Sequence, residues 1–136
     1  MRAIKRLVIH HSASSTQTTV AQIREWHVAR GWSDIGYHRV IEGDGSILDG
    51  RPVQAIGAHA KGSNRDSIGI CVVGDNTIND RKWTEPQERS LSIVIRYYQE
   101  LYPGIAVLGH RDAPGARTEC PGLDIRHWCQ SRGIQA

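Results

Sequence analysis

Apolar positions fall into short runs separated by polar, glycine-rich stretches, and the spacing inside each run predicts its element. Leu7-Val8-Ile9-His10 reads as a buried strand that opens into the polar stretch Ser12 to Thr18. A helix starts at Thr19, where Gln22 three residues on completes a capping box, and stops at Gly31; Val20, Ile23 and either Trp26 or His27 form its inward face. Tyr37 to Ile41 and Ser46 to Leu48 flank Gly43-Asp44-Gly45, whose glycines suit the tight turn of a hairpin. Ser67-Ile68-Gly69-Ile70-Cys71-Val72-Val73-Gly74 is apolar almost throughout, as a central strand covered on both faces must be. A second helix begins at Thr84, again boxed by Gln87 around Pro86, and Leu91, Val94, Ile95, Tyr98 and Leu101 keep the helical period until Pro103-Gly104. Ala106-Val107-Leu108 adds a strand, and a short last helix spans about Leu123 to Arg132. Strands interleaved with helices, with one antiparallel hairpin, predict an α/β sheet protein.

The length of 136 residues suits one domain covering 1–136. A net charge of +3 from scattered lysines and arginines gives only mild attraction to anionic polymers, and without a basic stripe or a recognised module no nucleic-acid binding is expected. No segment approaches the roughly 18 apolar residues of a membrane span, so no membrane insertion is expected either. Met1 to Arg6 is basic but runs straight into the first strand, with no apolar stretch of signal-peptide length; cytoplasmic synthesis, with export by another route, follows as the expectation. Cys71, Cys120 and Cys129 make an odd count that argues against a disulfide framework. Cys71 and Cys129 sit in apolar settings that read as packing, whereas Cys120 lies in a loop beside Pro121-Gly122.

Gly109-His110-Arg111-Asp112 follows a strand, and Cys120 comes about ten residues later, so a histidine and a thiol meet near one strand end. A third ligand is available from Ile9-His10-His11-Ser12, but neighbours on a strand face opposite sides, so only one of His10 and His11 can share a site with His110. Two imidazoles and a thiolate leave a zinc ion one position for water, the arrangement of hydrolytic zinc. Arg111 and Asp112 are placed to orient His110 or its loop, since a zinc histidine usually donates its other nitrogen to a partner. Ala55 to Arg65, rich in Gly, His and Asn, has the composition of a functional loop.

Five ordered blocks carry a resemblance: Ile9-His10-His11-Ser12-Ala13, Gly31 to His38, Gly57-Ala58-His59-Ala60-Lys61-Gly62-Ser63-Asn64, Ser67-Ile68-Gly69-Ile70, and Gly109-His110-Arg111-Asp112 with Cys120-Pro121-Gly122. Together, from about Arg6 to Trp128, they resemble the zinc-dependent N-acetylmuramoyl-L-alanine amidase type 2 family, which includes peptidoglycan recognition proteins. The likeness is to the short single-domain amidases of bacteriophages. The resemblance implies a central mixed β-sheet of about five to six strands flanked by three main helices, with one zinc ion in a surface cleft. It implies His10, His110 and Cys120 as zinc ligands, Tyr37 as an active-site hydroxyl, and a groove lined by His59, Lys61 and Asn64, where the lysine suits an acidic stem peptide. Hydrolysis of the amide between N-acetylmuramic acid and L-alanine in bacterial peptidoglycan is the implied reaction, performed by a monomeric phage or prophage endolysin on the cell wall.

Two positions depart from the family pattern. Thr118 stands where many short phage enzymes carry lysine, which leaves a hydroxyl but no positive charge for catalysis; Cys71 stands where other members have glutamate, which shifts weight to Tyr37. A non-catalytic peptidoglycan-binding module and an intracellular amidase recycling soluble muropeptides are the alternative readings; the complete ligand set disfavours the first, and substrate size separates the second. The inhibition of a phage RNA polymerase, implied for some short phage amidases, relies on an N-terminal extension and is not expected of this chain.

Overall fold

The computed structural model describes residues 2–136. A five-stranded sheet in the order β3-β2-β4-β1-β5 forms its centre. The strands are β1 (Arg6–His11), β2 (Arg39–Ile41), β3 (Ile47–Asp49), β4 (Ser67–Val72) and β5 (Ala106–Gly109). β1 runs parallel to β4 and β5, β2 runs parallel to β4, and β2 and β3 form the antiparallel hairpin. All six residues of β4 are buried, which explains why its sequence lacks the alternation of a half-exposed strand.

Helices α1 (Val20–Ala29), α2 (Glu85–Leu101) and α3 (Ile125–Ser131) pack on both faces. Thr19 and Thr84 accept hydrogen bonds from the N–H groups of Gln22 and Gln87, and each glutamine returns its carbonyl to the cap N–H at 2.8 Å, so both capping boxes close. One face of the sheet presents Leu7, Ile9, Ile68, Ile70 and Val72 to Leu91, Val94, Ile95 and Tyr98 of α2 and to Ile125 and Trp128 of α3. On the other face Val40, Cys71 and Val73 meet Ile23 of α1 and Ile35. Gln87 is fully buried, and its Nε2 donates to the carbonyls of Ile41 (3.2 Å) and Val73 (2.6 Å). Those carbonyls lie at the ends of β2 and β4, so the first turn of α2 is fastened there and no buried amide hydrogen is left without a partner.

Three local details are settled by the fold. The inward position of α1 goes to His27, whereas Trp26 is 45% exposed; His27 Nδ1 accepts the Gly36 N–H at 2.9 Å, a bond an indole could not make. Residues 37 and 38 precede β2: Tyr37 packs on the α1 side, and His38, fully buried, has its ring centroid 5.7 Å from that of His59. Gly36 serves close approach, because a Cβ there would lie 2.2 Å from the Ala58 carbonyl oxygen.

His38 Nδ1 accepts the Gly69 N–H at 3.0 Å and its Nε2 donates to the Ala55 carbonyl at 2.8 Å, so the neutral ring is fully used. Burial holds the His38 and His27 imidazoles down at about 4. The unfolded chain, with histidines near 6.5, therefore takes up protons that the folded chain refuses between those two values. Stability is full above pH 6.5 and is lost as pH falls toward 4, by about 2.5 kcal/mol at pH 4.5 for His38 alone. Urea unfolding at pH 7 and pH 4.5 checks this: His38→Gln should shrink the difference between the two midpoints, and an unchanged difference would refute the assignment.

Candidate metal centre

β1 and β5 are neighbouring parallel strands, and each delivers a histidine at its C-terminal end. His10 pairs with Cys71 of β4 and is 2% exposed; His110 opens a short 3-10 turn, His110–Asp112, directly after β5. Cys120 returns to the same place through the loop 113–119. The Arg111 N–H donates to the Cys120 carbonyl at 2.7 Å, which clips the two ligand-bearing segments together. The Arg111 and Asp112 side chains are exposed, and it is the Arg111 main chain that ties the His110 loop to Cys120.

The ligand atoms of His10, His110 and Cys120 all lie within 4.8 Å of one another. His10 Nδ1 stands 3.7 Å from Cys120 Sγ. A tetrahedral zinc with usual bond lengths puts such a nitrogen and sulfur about 3.6 Å apart, so the pair is already spaced for one ion. His11 points to the opposite face: its Nδ1 accepts the Asn76 N–H at 3.2 Å and lies 3.8 Å from Asp75 Oδ1. The choice between the two histidines left open by strand alternation thus falls on His10. His11 still contributes through its backbone, whose N–H donates to Cys120 Sγ at 3.4 Å. No sequence signal announces a main-chain donor of that kind.

The electrostatics suit a cation. Burial, with His59 and His110 adding to it, lowers His10 well below the ordinary imidazole value, and burial also lowers His110; both rings therefore offer lone pairs. Burial pushes the Cys120 thiol up to about 12, partly opposed by the His11 N–H. The anionic sulfur therefore needs a positive ion beside it, which a bound divalent metal supplies. Tyr37 sits over this group, its ring centroid 5.1 Å from that of His10. Burial and the neighbouring Cys71 and Cys120 raise its phenol well above the usual range, so it keeps its proton and acts as a donor.

The remaining predicted residues separate. Thr118 is exposed, and its Oγ1 accepts the Cys120 N–H at 3.1 Å, which shapes the turn bearing the thiol. Lys61 is exposed on the loop. Asn64 and His59, expected to line a groove, are turned toward protein partners. Asn64 Oδ1 accepts the N–H groups of His59 (2.9 Å) and Ala60 (2.8 Å), and His59, 9% exposed, places Nδ1 2.9 Å from His10 Nε2. Gly69 makes room for that ring: a Cβ there would lie 2.4 Å from His59 Cγ. The glycine of the Ser67-Ile68-Gly69-Ile70 stretch hence has a steric reason in the loop that crosses it.

The family model for N-acetylmuramoyl-L-alanine amidase matches residues 1–123. The chain is 39% identical over 134 residues to an endolysin of Enterobacteria phage T3, covering 94% of this chain and 87% of that one. It is 38% identical to an endolysin of Escherichia phage T7 with the same coverage. Among solved structures, N-acetylmuramoyl-L-alanine amidase LysC from Clostridium intestinale URNW superposes with a TM-score of 0.86 at 34% identity, covering 98% of this chain and 88% of that one.

Proposed function

Since the chain belongs to the N-acetylmuramoyl-L-alanine amidase family, we propose that His10, His110 and Cys120 hold one zinc ion at which the amide between N-acetylmuramic acid and L-alanine is cleaved. The protein is a peptidoglycan-hydrolysing amidase. The observation that carries the zinc reading is the convergence of two neutral imidazoles and one thiol within 4.8 Å. A zinc ion bound there supplies a Lewis acid and lowers the pKa of a coordinated water.

The chain's own residues have separate tasks. His10 and His110 present lone pairs and Cys120 presents the single anionic donor. Tyr37 holds its proton on Oη and donates it in a hydrogen bond to the carbonyl oxygen as negative charge gathers there. Thr118, whose oxygen already accepts from Cys120, has its hydroxyl hydrogen free to donate toward substrate. Lys61 offers a positive charge to the acidic stem peptide. Water adds to the lactyl carbonyl and the C–N bond breaks; the products are a muramic carboxylate and the free amino group of L-alanine. The action of an endolysin on the wall of its host fits this chemistry and the similarity to phage enzymes; no helix among the described residues is long and apolar enough to cross a membrane.

Mass spectrometry of sacculi digested with and without a chelator tests the reading. Expected products are stem peptides with new L-alanine amino ends and intact glycan strands, with activity abolished by chelation and restored by zinc. New sugar reducing ends, or full activity after exhaustive chelation, would refute it.

A further inference from the structure

Resting on the zinc reading above, we propose that His59 is a positioning residue: it fixes the proton of His10 on Nε2 and so leaves Nδ1 bare toward the metal. The inference follows from donors and acceptors counted along a buried chain. Ser67 Oγ lies 2.6 Å from the Ser63 carbonyl, which can only accept, so the hydroxyl hydrogen is spent on that bond. Ser67 Oγ therefore meets His59 Nε2, 3.2 Å away, as an acceptor, and His59 carries its hydrogen on Nε2. His59 Nδ1 is then a lone pair, and the 2.9 Å contact with His10 requires the hydrogen to come from His10 Nε2. One nitrogen of His10 remains without a proton. That nitrogen, Nδ1, is the one 3.7 Å from Cys120 Sγ.

A charged His59 would reverse the last step, donating to His10 Nε2 and driving the His10 proton onto the metal-facing nitrogen. The surroundings prevent this. His59 is buried, and among the described residues no carboxylate forms an ion pair with it, so a cation there would lack a counter-ion. The ring is also held in place from three sides. Asn64 accepts the N–H groups on both sides of the His59 Cα, the bare Gly69 seats the ring, and the His10 and His59 ring centroids lie 5.0 Å apart, as two rings joined in line by the 2.9 Å nitrogen contact require. His59 touches no reacting atom; it acts through His10 alone.

Two measurements decide the matter. Long-range 1H–15N correlation spectra of the zinc-free wild-type protein report the His10 tautomer directly, and the Nε2–H form is expected; the Nδ1–H form would overturn the proposal. Zinc affinity measured by competition with a chromogenic chelator should fall roughly 10- to 100-fold in His59→Ala. His59→Asn, whose carbonyl can take the place of Nδ1 as an acceptor, should recover most of the loss, and thermal melting of the zinc-free variants shows whether each is folded. Affinity within twofold of wild type in a folded His59→Ala would overturn the proposal, as would failure of a folded His59→Asn to recover any. If the wild-type protein takes up no zinc, the metal reading itself fails, and the tautomer spectrum still confirms or refutes the hydrogen-bond chain.

Discussion

Cys120→Ser is expected to lower zinc affinity roughly a thousandfold and, with it, to abolish peptidoglycan hydrolysis at ordinary zinc levels. Cys120 is the only group of the three that can bring negative charge to the ion, and a serine hydroxyl stays protonated at neutral pH. The fold should tolerate the change: serine keeps an oxygen for the His11 N–H, which now reaches sulfur at 3.4 Å, and the side chain is only partly buried. The zinc-free variant should thus melt close to the zinc-free wild type, while the wild type alone gains stability when zinc is added. Because burial pushes the free thiol up to about 12, binding must also expel its proton. Calorimetry in buffers of different ionisation enthalpy should detect about one proton released by wild type that Cys120→Ser does not release. Wild-type zinc content in the variant would remove Cys120 from the ligand set.

Tyr37→Phe should have the opposite signature. Zinc content stays at the wild-type level, since the phenol is not among the three converging ligand atoms, while turnover falls about a hundredfold with little change in apparent KM. The structural basis is the place of the ring, 5.1 Å from His10 by centroids, and a hydroxyl that burial keeps protonated and ready to donate. The loss belongs to kcat because the oxyanion exists only during reaction. With Cys71 in place of a carboxylate, the neighbouring β4 position has no oxygen base to take over; burial raises its thiol far above neutrality. Steady-state rates on dye-labelled sacculi check the prediction, and an unchanged kcat would exclude Tyr37 from the chemistry.

The regular elements were largely legible because their signals are local. Both capping boxes, the apolar run of β4 and the periodic face of α2 are written in residues no more than a few positions apart, and the structure shows them with bounds shifted by one to a few residues. The candidate site is a different case. His10 and Cys120 stand 110 positions apart, so no spacing rule links them; the ordered motif blocks did. What stayed hidden depends on long-range fit. The preference for His27 over Trp26 inside α1 is set by the Gly36 N–H that awaits it, and the turning of His59 from groove to His10 is set by the space above Gly69.

Position 69 also bears on how this enzyme can be modified. A glycine in the middle of a fully enclosed strand invites replacement by valine or threonine to stiffen the sheet. Here the vacancy left by its missing side chain is a socket for an imidazole borne on another segment. Filling it would raise strand propensity and evict the ring that orients a ligand, so a thermostabilised version of this amidase has to leave that one soft spot untouched.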